Sequence, residues 1–222
     1  MCFNRIAVSL GLCVSFFLSS EICFGQDAKL PSPTSKSTEW IQSWIDQNLS
    51  ASVEDYWWLH QHPELSYEEA ETAKYVAAAW TKAGFEVTTG VGGHGVVAVL
   101  KNGTGPGLML RTDLDALPVT EATGLPRAST KKTTLPSGAT AGIMHACGHD
   151  VHMTNLIAIA RLMAANKEKW RGTLMLIGQP AEERGGGAQK MLDDGLFSKF
   201  IKPDFAIALH CEATKATTVA LR

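Results

Sequence analysis

Four short apolar runs, VVAVL (Val96 to Leu100), LMLR (Leu108 to Arg111), TLMLIG (Thr173 to Gly178) and DFAIALH (Asp204 to His210), set the tightest limit on how this chain can fold. Each has the length and aliphatic content of a strand. Helical periodicity occupies much of the sequence around them: Trp40 to His60, with a possible break near Ser50; about Tyr67 to Ala83, where Ala70, Ala73, Val76, Ala77 and Trp80 recur; and Asp150 to Ala165. A shorter strand is expected over Val87 to Thr89 and a short helix within GGGAQKMLDDGLF. Strands alternating with helices predict a layered helix-sheet-helix α/β fold. Polar residues follow three of the four runs: Asp113 and Asp115, then Glu182 and Glu183, then His210. In open α/β sheets that is where ligands bind.

The ends of the chain read differently. Arg5 precedes an apolar stretch from Ile6 to Ser20, and Gly25 offers a small residue at a cleavage point, the pattern of a secretory signal over residues 1–25. The stretch is shorter than the roughly 20 residues a spanning helix needs; the alternative is a retained N-terminal anchor. Residues 26–38 are rich in Pro, Ser and Thr and read as a flexible leader, so the fold is expected to begin at Glu39 and run through 222. A secreted or periplasmic location follows from the signal. Cys2, Cys13 and Cys23 would leave with it, so that only Cys147 and Cys211 remain, each within two residues of a histidine; Cys147 is expected to be a thiolate ligand, and one disulfide between the two is the alternative. A formal net charge of -2 gives no basic surface for nucleic acid or an anionic membrane, and small molecules or peptides are the expected ligands.

IMHACGHDVHM, residues 143 to 153, concentrates metal-binding chemistry. Cys147 and His149 are two residues apart, too close to share a helical face, so a loop or the first turn of the next helix should present them. Thiolate and imidazole suit zinc and other late first-row ions, and His145 and His152 flank the pair as supporting donors or further ligands. The alternative is a buried thiol with histidines at a helix start. In QPAEERGGG, one of the adjacent carboxylates can bind metal while the other takes a proton from water; a solvated acidic turn paired with Arg184 is the plainer reading. Asp113 and Asp115 can be aimed together at an ion or serve as turn residues before Pro118, and His210 alone can be a core histidine.

Taken together, HQHPELSYEE (60 to 69), LRTDLDALPVTE (110 to 121), MHACGHDVH (144 to 152), GQPAEE (178 to 183) and LH (209 to 210) resemble the aminoacylase and carboxypeptidase family of metallopeptidases, in order and spacing. The likeness is to its amidohydrolase branch, which includes hippurate hydrolases and plant auxin-conjugate hydrolases. The resemblance implies a catalytic domain of zinc-peptidase type with two divalent ions (zinc, manganese, cobalt or nickel) held by Cys147, His149, Glu183 and His210. It implies that Glu182 is the general base that activates a metal-bound water, and that Asp115 orients the site. Asp113 stands where other branches carry a metal-binding histidine. The implied substrates are N-acyl amino acids or short peptides.

Members of that family are longer. Beyond the region of His210 they insert a ferredoxin-like domain for dimerisation and for closing over substrate, then return to the catalytic domain with a further histidine ligand. The resemblance therefore implies a catalytic domain incomplete at its C-terminus, a homodimer for the full-length protein, and an inactive fragment. Cys211 and Glu212 depart from the family pattern, leaving Cys211 as a possible extra ligand. Two other readings remain: a non-catalytic metal-binding remnant or interaction module, and a thiol hydrolase with Cys147 as nucleophile and His149 as base.

Overall fold

The computed structural model describes residues 35–212 and residue 215. The proposed signal, 1–25, lies outside the described residues, as does most of the leader. Helix α1 (Ser35–Gln61) takes in Ser35 to Thr38 of the expected leader and runs unbroken past Ser50. From Glu39 onward the chain forms one unit. After α1 come α2 (Ala70–Lys82), β1 (Glu86–Val91), β2 (Gly95–Asn102), β3 (Gly107–Asp113), a two-stranded hairpin β4 (Lys132–Thr134) and β5 (Thr140–Gly142), α3 (His149–Ala165), β6 (Gly172–Gln179), α4 (Gly187–Asp193), α5 (Leu196–Lys199) and β7 (Phe205–Ala208).

The main sheet has the order β1-β2-β6-β3-β7. β1, β2 and β6 pair antiparallel, whereas β6, β3 and β7 run parallel. β2 shows how the middle of the sheet is covered on both faces, whereas the residues of edge strand β7 are exposed. Its alternate residues Val96, Ala98 and Leu100 join Leu174 and Leu176 of β6 in one cluster with Leu59, Val76, Trp80, Met153 and Ile157 from α1, α2 and α3. Val97, with Met175 and Ile177, packs instead against Met191 and Leu196 of α4 and α5. Successive side chains of a strand point to opposite faces, so one hydrophobic run supplies two cores. The observed fold is thus the expected central sheet between helices.

Helix α2 starts later than its periodicity suggests. Tyr67 takes a positive φ of 71°, and Leu65 forms an isolated bridge with Ala116, so this stretch turns before the helix begins. Glu64 then satisfies the first free amides of α2, accepting from Thr72 N at 2.8 Å and Glu71 N at 3.3 Å. No helix among the described residues is long and apolar enough to cross a membrane.

Because β3, β6 and β7 are parallel, their C-terminal ends lie together. Asp113 is in register with Gln179, and Arg111 with Ala208. The segments that leave these three ends carry Asp115, Glu182 with Glu183, and His210.

Candidate metal centre

His149 is the hub of the polar cluster at these strand ends. It is the first residue of α3, fully buried, and reached through Gly148, whose φ of 76° reverses the chain between Cys147 and the helix. A side chain at 148 would be strained there, and its Cβ would stand 3.0 Å from Cys211 Sγ. The His149 Nδ1 proton is directed at the Asp115 carbonyl oxygen, 2.8 Å away. In the neutral ring this leaves the Nε2 lone pair facing the cluster; burial opposes charge on the ring, but the Asp115 bonds and the Asp113 charge outweigh it and raise the His149 pKa.

Around His149 Nε2 stand Glu182 Oε2 at 3.7 Å, Asp113 Oδ2 at 3.9 Å and Glu183 Oε1 at 4.0 Å. None of these is a hydrogen-bond distance. His149 Nε2, Asp113 Oδ2 and Glu183 Oε1 are all buried with no hydrogen-bond partner. Ligands about 2.0–2.3 Å from a tetrahedral zinc ion lie roughly 3.3–3.8 Å from one another, close to the spacing seen. Among the described residues, three groups have donor atoms within 4.8 Å of one another: Cys147, His149 and His210; Asp113, His149 and His152; and His149, Glu182 and Glu183. Unpartnered buried donors of this chemistry and spacing fit a divalent ion, and His149 belongs to every group.

The surrounding bonds fix these side chains. Asp115 Oδ2 accepts from Ser66 Oγ at 2.6 Å and from the Glu183 amide at 3.0 Å, tying β3's exit to the glutamate turn. Burial works against its charge, but the bonds from His149, Ser66 and Glu183 outweigh it and hold the Asp115 carboxyl below its ordinary pKa. For Asp113 burial prevails over the nearby Arg111 and His149 charges and raises the pKa. Arg111 pairs with Asp113 and donates to Gln179 Oε1 at 2.8 Å. His210 Nδ1 lies 2.8 Å from the Cys211 carbonyl, so its Nε2 is free to turn toward Cys147 Sγ, 3.7 Å away.

His152 comes to the site, whereas His145 does not. His152 is held near a pKa of about 4 by burial and by the His149 and His210 charges, and its Nε2 accepts from the Cys211 amide at 3.0 Å. His145 is buried, belongs to none of the three groups and meets no hydrogen-bond partner among the described residues. Cys147 and Cys211 are both free thiols. Burial, followed by the Glu183, Glu182 and Asp113 charges, pushes the Cys147 thiol up to about 11. Among the described residues Arg184 pairs with neither glutamate, which removes the plain reading of a neutralised acidic turn. Three further residues support the site: Ser66, Glu69 and Arg111. Their signal in the sequence is only their place within HQHPELSYEE and LRTDLDALPVTE.

A family model, peptidase family M20/M25/M40, matches residues 109–221. The chain belongs to this family. Within the M20 group it is 43% identical over 153 residues to the hippurate hydrolase of Campylobacter jejuni, covering 68% of this chain and 37% of that protein. It is 41% identical over 153 residues to the N-acetyl-L-cysteine deacetylase of Bacillus subtilis, covering 68% of this chain and 34% of that one. The chain thus spans little more than a third of the curated relatives it matches. A solved M20 protein of Bacillus subtilis, described as a dinuclear metal binding peptidase, superposes with a TM-score of 0.64 at 32% identity over 77% of this chain and 44% of its own.

Proposed function

We propose that the protein carrying this sequence is a metal-dependent amidohydrolase that cleaves the amide bond of N-acyl amino acids or short peptides. The carrying observation is the convergence of the unpartnered Asp113 Oδ2 and Glu183 Oε1, together with Glu182 Oε2, on the unpartnered His149 Nε2 at the ends of three parallel strands. Cys147, His149, Glu183 and His210 are the proposed ligands of two divalent ions, whether zinc, manganese, cobalt or nickel. Bound there, such ions polarise the substrate carbonyl and lower the pKa of water.

Glu182 is the proposed general base. Its side chain is more exposed than that of Glu183, 31% against 18%, which suits a group that must meet water and substrate. It takes the proton of the attacking water and passes it to the leaving amine. When the ring is neutral, as metal binding requires, the Asp115 carbonyl selects the tautomer that keeps the His149 Nε2 unprotonated. At Glu183 and Arg184 lies a cleft of about 270 Å³ lined both by apolar Leu65, Ala116 and Leu117 and by polar Glu68, Thr133 and Thr134, where part of the substrate can be held. The high pKa of the Cys147 thiol disfavours a thiol hydrolase, whose nucleophile needs a depressed one. A homodimer, and export directed by residues 1–25, complete the proposal.

The test is hydrolysis of N-benzoyl and N-acetyl amino acids by the purified protein before and after chelation. Chelation should abolish turnover, and zinc, manganese, cobalt or nickel should restore it. Chelator-resistant hydrolysis that thiol alkylation stops would instead establish cysteine chemistry.

A further inference from the structure

Among the described residues, two that are not glycine adopt left-handed backbone: Tyr67 at φ 71° and Ala181 at φ 48°. Such conformations persist only where the surroundings impose them. The amides of both residues donate to one atom, Glu69 Oε1, at 2.9 Å from Tyr67 and 2.7 Å from Ala181. Glu69 is fully buried, and its second oxygen has no partner. Burying a carboxylate is costly, and this one is not used to cap its own helix: Glu69 sits at the N-cap of α2 without a side-chain capping bond, while Glu64 takes the α2 amides.

The far end of this link is the turn that carries the paired glutamates. The Ala181 carbonyl accepts from the Gly186 and Gly187 amides at 3.3 Å each, so Ala181 is bound on both sides of its backbone. A Cβ at 187 would stand 1.5 Å from the Pro180 carbonyl oxygen, so the turn closes too tightly for any side chain there. Glu182 and Glu183 leave from the middle of it.

We propose that Glu69 is a positioning residue that clamps Ala181 in its left-handed conformation and thereby aims Glu182 and Glu183 at the metal centre. This rests on the proposed roles of those two glutamates. The carboxylate acts through the Ala181 amide, about which the next two residues pivot. Without it, Ala181 is free to relax toward negative φ and swing both carboxylates away from His149 Nε2.

The experiment has two readouts on the full protein. Amide exchange at Ala181, followed by NMR without metal, should show strong protection in the wild type and loss of protection in Glu69→Ala. Calorimetric titration with Mn²⁺ should show affinity about 10- to 100-fold weaker in Glu69→Ala, the range seen when a group supporting a ligand is removed. Glu69→Gln should stay close to wild type, because its amide oxygen can accept both bonds. Adding Ala181→Gly to Glu69→Ala should restore part of the affinity, since glycine takes positive φ freely, a rescue that a general packing defect would not show. If Glu69→Ala does not fold, Glu69→Asp, which withdraws the oxygen by one methylene, replaces it with the same expectations. Free exchange at Ala181 in the wild type, or unchanged Mn²⁺ affinity in the folded variant, overturns the clamp, as does absence of rescue by Ala181→Gly. If the wild type binds no Mn²⁺, the reading of the glutamates fails, and the exchange data still decide the clamp.

Discussion

A histidine whose Nδ1 proton is committed to a main-chain carbonyl keeps its Nε2 lone pair for another partner, and at His149 the neighbours of that lone pair are three carboxylates at 3.7 to 4.0 Å. Asp115 supplies the carbonyl, and its side chain binds Ser66 and the Glu183 amide, so one residue orients two proposed ligands. Asp115→Ala keeps the carbonyl but releases the Glu183 turn. It should weaken divalent-ion binding about 10- to 100-fold by calorimetry; unchanged affinity would show that Asp115 orients nothing. At this scale the chemistry was legible by residue type and spacing, because Cys147, His149 and the paired glutamates are poor choices for packing alone. Ser66 and Glu69 were not, because their partners are a distant carboxylate and a distant amide that no local pattern announces.

The N-terminus of α3 places His149, and a buried link to α1 holds it. His60 Nδ1 lies 2.7 Å from Asp150 Oδ2, and its Nε2 lies 3.1 Å from Glu121 Oε1. Burial alone would lower the His60 pKa, but the hydrogen bonds and charges of Asp150 and Glu121 outweigh it and raise the pKa. A pKa raised on folding gives stability that is full below the unfolded value, about 6.5, and is lost as pH rises through the folded value. The Tm difference between wild type and His60→Gln should therefore be largest below about pH 6.5 and shrink at higher pH. A difference independent of pH would contradict this charge coupling. Strands β2, β3, β6 and β7 were legible because each carries a continuous apolar run. The β4 and β5 hairpin was not, since KTT and TAG are three residues each without apolar alternation. Nor was the start of α2, because the turn at Tyr67 depends on a bond to Glu69 rather than on periodicity.

At the scale of the whole molecule, the sheet order brings the site together. β6 lies between β2 and β3 although it follows both in the chain, which sets the glutamate turn beside the exit of β3, with β7 and His210 on the other flank. Apolar runs announce strands but carry no label for their neighbours, so the layered fold could be read from the sequence while this order could not. A centre that joins segments so far apart in the chain should couple metal binding to global stability. At an ion concentration 100 times Kd, binding to the native state adds about 2.7 kcal/mol. That should raise Tm by roughly 5–10 °C in a domain of this size, and a Tm indifferent to added ion would count against a native metal centre.

The central claim is that the adjacent glutamates divide the work, Glu183 holding metal and Glu182 moving the proton. The most direct test is to measure metal content and kcat together in Glu182→Gln and Glu183→Gln. Glu182→Gln should keep the wild-type metal content while kcat falls at least about 10²-fold, and Glu183→Gln should lose metal. Loss of metal in Glu182→Gln with retention in Glu183→Gln would reverse the two assignments, and full activity in Glu182→Gln would contradict the account.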